Sequence, residues 1–68
     1  MTETIQNTVH ALRSARSLTQ EELADRVGVT RQTIIAIEKG NYIPSVLLAL
    51  KLAHSFNTSV EDIFKIRK

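Results

Sequence analysis

Arg31, Gln32, Ile35 and Ala36 are the residues of this chain best suited to touch base edges. A guanidinium can donate two hydrogen bonds to guanine, and a glutamine amide can pair in the same bidentate way with adenine. Alanine and isoleucine offer no polar atom, but their methyls fit against the C5-methyl of thymine. At ~100° per residue the four fall within an arc of roughly 140° on a helix, away from Ile34 and Ile37, which face a core. Gln20 stands at the start of a second helical stretch, where free backbone N–H groups and the helix dipole favour a phosphate. Thr33, Lys39, Asn41 and Tyr42 are further phosphate candidates, although Tyr42 is equally suited to packing in its loop.

Other chemistries find little support. His10 and His54 are isolated, with no His pair at metal-binding spacing and no cysteine, so no metal site is expected. Glu21, Glu22 and Asp25 read as a solvated helix face rather than paired catalytic carboxylates. No nucleophile–base constellation is evident, and the two glycines, Gly28 and Gly40, do not make a phosphate-cradling loop. No enzyme and no cofactor is expected.

The elements that must position these residues lie between Thr19 and Gly40. Thr19 and Glu22 have the spacing of a capping box. Leu23, Ala24 and Val27 follow at helical spacing. Gly28 suits a left-handed helix stop, Val29 a buried plug and Thr30 the cap of the next helix. Two short helices around a single glycine turn have the form of a DNA-binding helix-turn-helix. Before it, a first helix is predicted from about Thr4 to Arg16, with Ile5, Val9 and Leu12 as its buried stripe, after a polar lead-in over residues 1–4. After it, Pro44 holds Ile43 out of helical geometry. A fourth helix spans about Ser45 to Phe56, apolar over most of its circumference, with Asn57 as a left-handed cap. Ser59 caps a short fifth helix to about Phe64. Residues 65–68 form a basic tail.

With 68 residues the chain is one small domain, 1–68, with no internal linker. At 43% hydrophobic residues it is expected to fold, but a core this small leaves stability marginal. The formal net charge of +2 is compatible with nucleic acid without demanding it. No apolar run is long enough for a membrane span, and the polar N-terminus is unlike a signal peptide. The cytoplasm of a bacterium or archaeon, or of a phage-infected cell, is the expected compartment.

The ordered pieces LTQEELA, GV-T-RQTI, AIEKG, YIPS, ALKLA and SVEDIF resemble the phage-repressor and Cro type of helix-turn-helix domain, also called the xenobiotic-response-element type. They span about Val9 to Phe64. The resemblance implies an all-α, compact five-helix, lambda-repressor-like fold and sequence-specific binding of double-stranded DNA, usually as a dimer. It carries base reading onto Arg31, Gln32 and Ala36, and phosphate contact with bracing of the recognition helix onto Gln20. Ile35 departs from the pattern, since a polar or small residue is commoner there; it could read a thymine methyl or pack against its neighbours. Arg13 and Glu38 resemble a pair that bridges the first helix to the end of the recognition helix. Leu47, Leu50, Phe64 and Ile66 exceed what a small core obviously needs; they suit either the core or a two-fold interface built from helices 4 and 5 and the tail, and the interface is expected. The function expected is that of a small transcriptional regulator, a repressor by default, acting as a homodimer on a palindromic operator. The alternative is the antitoxin of a toxin–antitoxin pair, with the same DNA-binding face and a toxin protein as partner. A third possibility is a protein-interaction module that has lost DNA binding, against which Arg31, Gln32 and Gln20 speak.

Overall fold

The computed structural model describes residues 3–67. The order of elements is β1 (Thr4–Asn7), α1 (Val9–Ala15), α2 (Gln20–Val27), α3 (Arg31–Glu38), α4 (Val46–Phe56), α5 (Val60–Ile63) and β2 (Phe64–Arg67). The five expected helices are present, but the fold is not strictly all-α, because β1 and β2 form an antiparallel two-stranded sheet.

Two expectations are corrected here. The first helix does not begin near Thr4. Residues 4–7 are extended, Ile5 lies opposite Ile66 rather than on a helical stripe, and α1 starts at Val9. Tertiary contacts fix that start. The Asn7 side chain accepts from Val9 N (3.1 Å), Thr8 N donates to Ile63 O (2.9 Å), and Thr8 Oγ1 donates to Asp62 O (3.1 Å). Residues 65–67 are likewise not a tail but most of β2; Met1, Thr2 and Lys68 lie outside the described residues.

Local chemistry accounts for the remaining boundaries. Thr19, Thr30, Ser45 and Ser59 each sit in extended geometry and accept from a backbone N–H three residues on, which satisfies a donor the helix start leaves free. Gly28 ends α2 at φ +73°. A Cβ there would meet only Lys51 Nζ at 3.8 Å, so the left-handed backbone, not crowding, is what favours glycine. Asn57 takes the same conformation after α4, as its sequence position suggests.

The core is Val9 from α1, Leu23, Ala24 and Val27 from α2, Ile34 and Ile37 from α3, Leu48, Leu52, Ala53 and Phe56 from α4, and Ile63 from α5. Leu18 and Val29, from the connections, pack against it. The α4 helix is central, yet its outer face leaves Val46, Leu47 and Leu50 exposed.

Candidate nucleic-acid interface

The α2–turn–α3 unit holds the predicted base-reading residues on one surface. Thr19 and Glu22 complete the capping box of α2: Glu22 N donates to Thr19 Oγ1 (3.0 Å) and Thr19 N to Glu22 Oε1 (2.8 Å). Hydrogen bonding to the carboxylate from Thr19, first its backbone N–H and then its hydroxyl, holds the Glu22 carboxyl below its ordinary range. Thr30 caps α3 through Thr33 N (3.3 Å), and the two threonine hydroxyls are 3.1 Å apart. Arg31 and Gln32, the first two residues of α3, are exposed, whereas Ile35 and Ala36 one turn on are half-buried.

Behind this surface lies a polar cluster centred on Glu38. Arg13 Nε donates to Glu38 Oε2 (2.7 Å) and Arg13 Nη2 to Glu38 Oε1 (3.2 Å), a bidentate pair of the strong kind. Arg13 Nη1 donates to Leu18 O (2.8 Å), and Gln20 Nε2 donates to Glu38 Oε1 (3.1 Å). The paired side chains are only 12% and 8% exposed for Arg13 and Glu38. Burial opposes ionisation of Glu38, but the hydrogen bonds from Arg13 and Gln20 and the arginine charge outweigh it and hold the carboxyl below its ordinary range. The hydrogen bond to Glu38 correspondingly raises the Arg13 guanidinium.

One hydrogen of Gln20 Nε2 is thus spent on Glu38, which leaves the other for an outside acceptor. Gln20 and Arg31 also line one open cleft with Arg13, Thr19 and Glu21. Beyond α3, Lys39 and Asn41 are exposed, and Tyr42 is 46% exposed. Asn41 N donates to Ala36 O (2.9 Å), which ties this loop to the helix.

Two members of the arrangement were not anticipated. His10 Nδ1 is 3.0 Å from Arg13 Nη2 and 3.5 Å from Glu38 Oε1, so it is not isolated. The three-residue spacing of His10 and Arg13 on one helix was the available signal. Asn7 Nδ2 donates to Ile37 O (2.9 Å) and fastens β1 to the last turn of α3. No local pattern could reveal that bond, which links residues far apart in the chain.

Residues 9–63 match a protein-family model described as Helix-turn-helix. The chain belongs to the Cro/C1-type helix-turn-helix family. This helix-turn-helix protein is 52% identical over 60 residues to the uncharacterized HTH-type transcriptional regulator YgzD of Bacillus subtilis (strain 168), covering 88% of this chain and 91% of YgzD. It is 34% identical over 55 residues to the cryptic phage CTXphi transcriptional repressor RstR of Vibrio cholerae, across 81% of this chain and 50% of RstR. Among solved structures it is similar to the restriction-modification controller protein C.AhdI from Aeromonas hydrophila, with TM-score 0.74, 31% identity, and 79% and 82% of the two chains covered. The family's DNA-binding transcriptional regulation accords with the surface described above, where the exposed Arg31 and Gln32 stand at the start of the second motif helix.

Proposed function

We propose that this helix-turn-helix regulator is a repressor that binds a palindromic operator as a homodimer, with α3 in the major groove and α2 across the backbone. The observation that carries it is the exposed Arg31–Gln32 pair at the N-terminus of α3, a helix braced from behind by Arg13 and Gln20 through its own Glu38. Arg31 and Gln32 read base edges, and Ala36 and Ile35 meet methyl groups. Gln20, Thr33, Lys39, Asn41 and Tyr42 contact phosphates, and the cluster of Arg13, Gln20 and Glu38 sets the angle of α3. The repressor sense follows the named function of RstR. The place of action is the prokaryotic cytoplasm, at the nucleoid when bound.

Dimerisation is supported by selectivity and by surface. One copy reads too few base pairs to be selective in a genome, and a two-fold pair doubles the reading over half-sites about 10 base pairs apart. Leu47, Leu50 and Ile66 are 64%, 48% and 62% exposed, next to exposed Val46 and Ile43. Phe64 is half-buried against the core and lines a cleft with the exposed Ile5, Ile43 and Val46.

Selection of bound sequences from a random DNA pool tests the proposal. A palindromic consensus is expected, with Arg31→Ala relaxing one position of each half-site at a cost of about 1–3 kcal/mol. Gln20→Ala should weaken all sequences alike. Sedimentation at micromolar concentration should give the mass of two chains on the operator. A single chain on an asymmetric site would sink the dimer, and an unchanged profile for Arg31→Ala would sink the base assignment.

A further inference from the structure

The register of the two strands gives the β1–β2 sheet two unlike faces. Ile5 and Asn7 lie opposite Ile66 and Phe64. This is the inward face, since Phe64 packs on the core and Asn7 donates to Ile37 O. Successive side chains alternate across a strand, so Thr4 and Gln6 share the outward face with their partners Arg67 and Lys65. That face carries two cations and no carboxylate. Both cations are exposed, and among the described residues neither lies within 4.0 Å of an acidic oxygen. Asp62 sits close enough for the Lys65 charge to be felt, but its carboxylate already accepts from Thr58 Oγ1 (3.0 Å).

The sheet is also held against the recognition helix. The Asn7 bond fixes β1 to the last turn of α3, and exposed Lys39 caps that same end. Lys39 at that end and the Lys65–Arg67 face of the sheet fastened beside it add exposed cations away from the Arg31 end of α3. A duplex carries one negative charge per ~1.7 Å of axis, so one that seats Arg31 and Gln32 in its groove offers phosphates well beyond the bases read.

We propose that the Lys65–Arg67 face of the sheet is a second DNA contact, indifferent to sequence, that holds backbone phosphates flanking the bases read by α3. It rests on the DNA-binding reading above and adds a site to it. The rival explanation is that Lys65 and Arg67 only keep an exposed sheet edge from pairing with other strands. Charge of either sign would serve that end, whereas only positive charge serves phosphate.

The test measures affinity for an operator duplex and for a random-sequence duplex between 50 and 200 mM salt. Each lost phosphate contact lowers the logarithmic salt slope by about 0.9. For the Lys65→Gln/Arg67→Gln variant, raising salt across that range should cost about tenfold less per protomer than in the unaltered protein. Lys65→Gln and Arg67→Gln singly should each give about three- to fourfold, which keeps the test open if the double variant folds poorly. Lys65→Glu/Arg67→Glu should lose more affinity while keeping the sheet's circular dichroism, and Lys65→Arg/Arg67→Lys should keep the full slope. The selected consensus should be the same in all of them. An unaltered salt slope in the glutamine variants, or a changed consensus, overturns the proposal. A slope reduced on an RNA duplex and not on DNA also overturns it, in favour of an RNA contact. Arg31→Ala serves as the converse control, relaxing one position of the consensus and keeping the slope. If the unaltered protein selects no consensus at all, the base-reading proposal fails, and the random duplex still reports on the sheet.

Discussion

The two sides of this small domain are finished to different degrees. Behind α3, Arg13 and Gln20 both donate to Glu38, and the arginine alone donates to both Glu38 oxygens and to Leu18 O. On the outer face of α4, Val46, Leu47 and Leu50 stand exposed at 77%, 64% and 48%. The first region is fixed before any ligand arrives, so little ordering is left when DNA binds. The second presents apolar area whose removal from water is worth about 25 cal/mol per Å², and only association can collect it. Rigidity is built where a geometry must be read, and exposed surface is left where a second copy is proposed to dock.

Breaking the finished side should have the largest effect on stability. Glu38→Ala leaves the mostly buried Arg13 guanidinium without its carboxylate and should cost about 3 kcal/mol, the low end for breaking a buried pair. Urea unfolding measures it, and a loss below about 1 kcal/mol would show the cluster to be ornamental. A double-mutant cycle on Arg13 and Glu38 should come next, with a coupling of about 1–2 kcal/mol. Strict additivity would dismiss the pair as an orienting device.

Acid should then separate the two sides. Glu38 has a lowered carboxyl pKa in the fold. Its contribution is therefore fully present above the ordinary carboxylate range of the unfolded chain and is lost as pH falls through its depressed folded value. Urea midpoints measured from pH 7 downward should fall less steeply for Glu38→Gln than for the unaltered protein. Leu47→Asp should follow the unaltered slope, apart from the titration of the new carboxyl. Equal slopes for Glu38→Gln and the unaltered chain would remove Glu38 from the acid response.

The smallest effect belongs to the unfinished side. At nanomolar protein, where a weak dimer is dissociated, Leu47→Asp should change stability by no more than about 0.5 kcal/mol, as for most surface substitutions. At higher concentration the unaltered protein alone should gain stability by mass action. A midpoint independent of concentration in both proteins would mean that the α4 face does not self-associate.

Most of the motif was legible in the sequence because its signals are local. Thr19 with Glu22, Thr30, Gly28, Ser45 and Asn57 each specify a boundary through atoms within a few residues, and all behave in the structure as their chemistry requires. The Arg13–Glu38 pair was legible only through family resemblance, since nothing in either helix points to the other. The sheet was not legible. Ile5, Val9 and Leu12 fit a helical stripe as well as any in the chain, and the partner that makes residues 4–7 a strand lies at residues 64–67. Tertiary pairing overrode a good local pattern there. His10 differs, because Arg13 lies three residues on along the same helix and only Glu38 comes from elsewhere in the fold.

The pairing of Thr4 with Arg67 has a consequence for how this domain can be rebuilt. Two residues at opposite extremes of the described chain stand as neighbours across one rung of the ladder. A short peptide joining residue 67 to residue 4 could therefore turn the molecule into a ring without moving a helix. The exposed stretch at Asn41–Ile43 or the connection at Asn57–Ser59 could then be cut to make a circular permutant. The order of the helices along the chain would change while their order in space stayed the same, so the surface bearing Arg31 would be presented by a differently threaded polypeptide.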